Sequence, residues 1–339
     1  MKSIAVFNNK GGVGKTTLLA NIASFLKIKK HERVLLVDAD PQCNASIYTM
    51  PISFIEETYS ENNPDTIYNI VKPVKRAEGF LKWDKMPIVH SEGFGVDVIL
   101  GDTRMSNAED FLSKDWVDCI NGEARAFKST LMFKQLMMQA EGHYDYVFFD
   151  VGPSLGAINR IVLIACDYFL IPMSSDVFSL KAVENISIAL KGWKEDFRLG
   201  MSRYRDKEHE EYQLDGVSVD FNVHFIGYVT QQYVSKTVAG TRRPVHAYDT
   251  ILRNVDTLIS ESLHDFYDAS IEGFLKLGEI PNYNSLIPLS QIHNKSIFRL
   301  ESQDGIVGAH FAKVKEYESV IASIVDNLIE NEARYDKLA

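Results

Sequence analysis

The chain has 339 residues, 45% hydrophobic and 24% charged, with a formal net charge of −10. It is long enough for a large core in one big α/β domain or two ordinary ones, and too acidic to be a uniformly basic nucleic-acid coat, although a local basic face stays open. No run of about 18 apolar residues suits a spanning helix, the opening MKSIAVFNN turns polar too soon for a secretory signal, and the three cysteines Cys43, Cys119 and Cys166 form no C-x-x-C pair, which suits reduced thiols in a cytoplasmic setting.

Short apolar runs alternate with amphipathic stretches along the chain. Strands are expected over residues 3–9, 33–40, 95–102, 144–151, 167–174 and 223–231, several of them continuously apolar, as strands covered on both faces must be. Helical patterns fall between them at 16–30, 126–140 and 180–193. This alternation predicts a doubly wound, mainly parallel sheet with helices on both faces, in a single domain covering 1–339. Two regions break the rhythm and are expected to be insertions: 51–92, read as loop and a short helix, and 194–222, whose five basic and eight acidic residues suit a solvated excursion. Near the end, Val320, Ile321, Ile324, Val325 and Leu328 recur at helical spacing, and core packing is the expectation for that helix.

The stretch VFNNKGGVGKTTLLANIASFL, residues 6–26, carries the most specific chemistry. A strand leads into Gly11, Gly12, Val13 and Gly14, and Lys15, Thr16 and Thr17 open a helix, so backbone N–H groups and a helix N-terminus converge on one anion. Lys15 can reach β- and γ-phosphates, and the Thr16 hydroxyl is placed to ligate Mg2+. The general pattern G-x-x-x-x-G-K-[ST] wants a glycine at position 9; this chain has Asn9, followed by a second lysine, Lys10. K-G-G-V-G-K-T-T with that extra lysine resembles the deviant Walker A motif of the ParA/MinD family, a group of P-loop NTPases. The resemblance implies that Lys10 crosses an ATP-dependent homodimer interface to the partner's nucleotide, which makes hydrolysis conditional on dimerisation.

Asp38 and Asp40 end the next apolar strand, at the sheet edge where ligands sit, and either could reach water near a γ-phosphate. D-x-D-P-Q is similar to the family's segment, which implies that Asp40 handles the attacking water and that Asp38 lies near the metal. YDYVFFDVGPSLG has the form of a Walker B strand, with Asp150 expected to support Mg2+. The family usually continues D-x-P-P-S-L-G; here Gly152 replaces the first proline and supplies an N–H that could contact the γ-phosphate. The late segment LIPLSQIHNKSIFRL resembles the family's adenine-flanking stretch and implies a contact from Pro288.

Two branches of the family act on different surfaces. The C-terminal helix has mixed, mildly acidic polar residues, unlike the basic membrane-binding helix of MinD-like members, so no membrane is expected. SKTVAGTRRPVHAY, residues 235–248, carries Lys236, Arg242 and Arg243 without an acidic residue and is the expected contact for non-specific DNA. The first strand begins at residue 3, so an operator-binding helix-turn-helix ahead of the loop is not expected. Cluster-bearing reductases of this fold need paired cysteines that the pattern lacks, and a metal-pump ATPase would usually show two such cassettes. The expected activity is a slow Mg-ATP-dependent ATPase, stimulated by a partner protein, that segregates or positions DNA or other cargo. The alternative is a regulatory subunit of a multi-protein complex without DNA cargo.

Overall fold

The computed structural model describes residues 1–337 apart from 175, 234, 239, 240, 245 and 284, and all of their side chains except those of 177, 178, 180 and 232–254. Among the described residues the strands are β1 Lys2–Val6, β2 Val34–Asp38, β3 Ile88–Ser91, β4 Val96–Ile99, β5 Tyr146–Asp150, β6 Tyr168–Ser174, β7 Gln213–Leu214, β8 Val217–Ser218, β9 His224–Tyr233, β10 Ser235–Val238, β11 Thr241–Pro244 and β12 Lys276–Pro281. The helices are α1 Lys15–Lys30, α2 Asn44–Thr49, α3 Ile52–Ser60, α4 Tyr68–Lys75, α5 Met105–Ile120, α6 Ala124–Thr130, α7 Met132–Ala140, α8 Ala157–Ala165, α9 Val177–Glu208, α10 His246–Leu263, α11 Leu286–Ile292 and α12 His310–Asp336.

Eight strands form one sheet in the order β12-β9-β6-β1-β5-β2-β4-β3. Every pairing is parallel except β3 against β4 at one edge. Every residue of β2 and β5 is buried. Since successive side chains point to opposite faces, both faces of the sheet are covered there, which is why these strands read as unbroken apolar runs. The register sets Val6 beside Asp150 and Asp150 beside Asp38, so three neighbouring strands end level with one another.

α1 begins where the phosphate-loop pattern ends, and Lys27, Lys29 and Lys30 lie in its last turn, where cations suit the helix dipole. α12 rests on β12, β9 and α1, with Ile321, Ile324, Val325 and Leu328 fully buried, so the C-terminal periodicity is a core face. The charge-rich stretch from residue 194 continues α9 to Glu208. Phe197 and Tyr204 on that helix, and Tyr212 and Leu214 beyond it, are buried, with Phe197, Tyr204 and Tyr212 packed around Phe127. The charges occupy the remaining face of a helix that contributes to the core. The 51–92 region holds α3, α4 and β3, more order than a loop and one short helix. Among the described residues no helix is long and apolar enough to cross a membrane.

Candidate nucleotide site

The phosphate loop is assembled by contacts between β1, β6 and α1. The Asn8 amide donates to the Pro172 carbonyl at 2.7 Å, and its oxygen accepts the Lys10 N–H at 2.9 Å. Gly12 and Gly14 both have φ near +73°, a backbone region that disfavours any side chain. The Lys15 ammonium lies inside the loop, 3.3 Å from the carbonyls of Asn8 and Lys10. Burial lowers its pKa, and the carboxylates of Asp150 and Asp40 work against that shift.

At the end of β5 the Asp150 carboxylate accepts the Thr16 hydroxyl at 2.6 Å through Oδ2, while Oδ1 is buried with no partner among the described residues. Burial raises the pKa of Asp150 above the usual carboxylate range; the Thr16 bond opposes the rise and the charge of Asp40 adds to it. A hydroxyl and a carboxylate side by side, with one orphaned oxygen, are a donor set that fits Mg2+, a hard cation usually held by one or two carboxylates.

Asp38, expected near the metal, has both oxygens engaged. Oδ2 accepts the backbone N–H and the hydroxyl of Ser46, each at 2.7 Å, and Oδ1 accepts the Asp40 N–H at 3.3 Å. It braces the turn into α2 from inside the protein, and burial together with the neighbouring Asp150 raises its pKa. Asp40 lies at the mouth of the cleft, with Oδ1 accepting the Gln42 N–H at 2.9 Å. A Cβ at residue 152 would stand 3.2 Å from the same oxygen, so Gly152 lets the loop after β5 pass close to Asp40.

The phosphate loop and Asp40, but not Asp38 or Asp150, line a cleft of about 550 Å3 that runs from Gly11–Thr17 past Asp40 and Pro153. Its far end is formed by Asn44, Ile47 and Tyr48 of α2 and Gln291 of α11. Pro288 lies exposed on α11 and does not line the cleft; Gln291, one turn further along the same helix, does. The Tyr48 hydroxyl meets Ser290 Oγ at 2.6 Å, which ties the two helices together beneath that end.

Lys10 turns back onto its own chain and pairs with Asp176 at the start of α9. Asp176 also accepts the Ser179 N–H at 3.1 Å, capping that helix. Asn159 of α8 donates to the carbonyls of Gly152 and Ser154 at 2.7 and 2.6 Å and so holds the loop after Asp150. Glu109 of α5 accepts the N–H groups of Ala157 and Ile158 at the N-terminus of α8. Asp176, Asn159, Glu109 and Gln291 carry no local motif, and only the tertiary fold brings them to the site. Lys236 and Arg243 are opposite each other in the β10–β11 hairpin, with Arg242 beside them, but the side chains of all three lie outside the described residues.

A family model described as an AAA domain, AAA_31, matches residues 1–201. The chromosome partitioning protein ParA of Caulobacter vibrioides is 30% identical over 189 residues, 55% of this chain and 61% of that protein. The chain spans less than two thirds of the length of the curated relatives to which it is most similar. The crystal structure of protein DIP2308 from Corynebacterium diphtheriae superposes with a TM-score of 0.69 at 29% identity, covering 87% of this chain and 97% of that one. An ATP complex of McdA from Cyanothece superposes with a TM-score of 0.63 over 97% of this chain and 96% of that one; at 13% identity this is likeness of fold alone. The match over residues 1–201, together with these likenesses, shows that the chain belongs to the AAA_31 family, among the P-loop ATPases of the ParA/MinD type.

Proposed function

We propose that this protein is a Mg-ATP-dependent switch of the ParA type, which closes as a homodimer around ATP, binds non-specific DNA in that state and is released by slow, partner-stimulated hydrolysis. The observation that carries the reading is the Thr16–Asp150 pair at 2.6 Å with its orphaned carboxylate oxygen, set beside the buried Lys15 at the mouth of a cleft of about 550 Å3. A bound Mg2+ would supply neutralisation of the negative charge on the phosphates. Thr16 and Asp150 would hold it, directly or through water. The N–H groups of Gly11–Thr17 and the Lys15 ammonium bind the phosphates, while Asn44, Ile47, Tyr48 and Gln291 enclose the base end.

Asp40 orients the attacking water, a role supported by its place at the cleft mouth and its close approach to Gly152. Lys10 leaves Asp176 on dimerisation and stabilises charge on the partner's phosphoryl group. The basic β10–β11 hairpin supplies the DNA contacts. The relatives named as partitioning proteins support segregation or positioning as the process served.

The test is Asp40→Ala protein titrated with random-sequence duplex DNA, with ATP and with ADP, over a salt series. The expected result is an ATP-loaded dimer, hydrolysis lost, and DNA binding that requires ATP and weakens steeply as salt rises. A dimer that ignores DNA in both states would assign the chain instead to regulation of a protein complex. A monomer with ATP bound would overturn the ATP-closed homodimer.

A further inference from the structure

Gly14 is contacted from an unexpected direction. The side-chain amide of Gln231, on β9, donates through Nε2 to the Gly14 carbonyl at 3.2 Å. A Cβ on Gly14 would stand 2.2 Å from Gln231 Oε1, so glycine is required here by close approach as well as by its positive φ. The same carbonyl accepts the Leu18 N–H at 3.0 Å, the bond that closes the first turn of α1. Gln231 is only 5% exposed and does not line the cleft, so any influence it has on a nucleotide passes through Gly14.

Its backbone is fixed on both sides, opposite Ser174 of β6 and Ile280 of β12. Two residues later β9 ends at Tyr233, and from Ser235 the chain is the β10–β11 hairpin in which Lys236 faces Arg243 across the ladder. A phosphate drawn onto the loop's N–H groups acts on the peptide at Gly14. The Gln231 amide touches that residue by one hydrogen bond and one van der Waals contact, and a strand held on both sides is stiff along its length.

We propose that Gln231 is a positioning residue that couples occupancy of the phosphate loop to the conformation of the β10–β11 hairpin. The coupling rests on the reading of the cleft as a nucleotide site and is independent of whether the hairpin meets DNA.

The experiment is hydrogen–deuterium exchange of the whole chain, without ligand and with Mg2+ and a non-hydrolysable ATP analogue at saturation. It compares the unaltered protein with Gln231→Met, which keeps the length but lacks the donor, and Gln231→Ala, which lacks both contacts. In the unaltered protein the analogue slows exchange at residues 9–18 and at residues 235–244. In both variants the loop is still protected, with affinity lowered roughly 2- to 10-fold, the factor carried by one neutral hydrogen bond. The response of the hairpin falls to less than half. Ligand-free exchange and the thermal midpoint stay unchanged in Gln231→Met, which separates coupling from a merely structural role. A hairpin that responds equally in all three proteins, or in none while the loop is protected, overturns the coupling. A loop that gains no protection in the unaltered protein overturns the nucleotide reading and the coupling with it.

Discussion

Lys15 is a cation in a buried setting, bonded to no carboxylate among the described residues, with two backbone carbonyls 3.3 Å away. Burial makes its charge costly until an anion arrives, so its contribution is concentrated in the bound state. Lys15→Ala should therefore lower ATP affinity by about 3 kcal/mol or more, over a hundredfold, with little change in fold. Titration with a fluorescent ATP analogue measures this, and an unchanged affinity would remove the cleft as the nucleotide site. At this scale the motif residues were legible because the loop, its lysine and its hydroxyl are contiguous, and the Walker B carboxylate ends a recognisable apolar run. Gln231 was not, since it lies 217 positions from Gly14 and is an unremarkable polar residue within a strand pattern. Pro288 rested only on the resemblance of its segment to the family's adenine-flanking stretch, and it is Gln291 of the same helix that lines the cleft.

Elements were legible where burial imposes periodicity. β1, β2, β5 and β6 appeared as apolar runs because they lie in the middle of a covered sheet. β12 escaped because its sequence, KLGEIP, contains a glycine and a proline. Gly278 is there for α12: a Cβ at that position would stand 2.6 Å from Ile324 Cγ1, so the strand gave up a side chain to let the helix approach. The second half of α9 was read as solvated because its charges outnumber its apolar residues, although two of those few, Phe197 and Tyr204, are aromatic and buried. Phe197 is fully buried and edge-on to Phe127 at 6.1 Å. Phe197→Ala should cost about 3–5 kcal/mol in urea unfolding, the range for a large aromatic removed from a core. A loss under about 1 kcal/mol would mean that this half of α9 is peripheral after all.

Across the whole molecule, the sheet order separates two chemistries. The strand ends that carry Asp38 and Asp150 meet the phosphate loop at one edge. The other edge carries Glu332 of α12, buried, with Tyr146 donating to it at 2.8 Å at the start of β5. Burial pushes the pKa of Glu332 up to about 7, against the Tyr146 bond and the nearby Lys2. Its folded-state pKa is thus raised, and the native chain keeps a proton that the unfolded chain releases. The stability this contributes is complete in acid, below the unfolded value of 4.5, and is lost as pH climbs through 7. Glu332→Gln should flatten that fall and raise stability at pH 8 by about 1–3 kcal/mol. Chemical denaturation from pH 5 to 8 measures it, and a variant that keeps the full slope would assign the titration to another group. None of this was legible beforehand, because a lone glutamate on a helix of mixed charge gives no sign of which side faces the core.

The Lys10–Asp176 pair has a kinetic meaning for such a switch. Both side chains are partly exposed, at 28% and 37%, so the contact belongs to the class of ion pairs worth at most about 1 kcal/mol. Moving the ammonium from its own chain to a neighbour's phosphate is an exchange of counter-ions, with one attraction given up as another forms. Leaving the first partner costs so little that the direction would be set by what stands opposite. A lysine so lightly held is free to answer a stronger anion when one is brought to it.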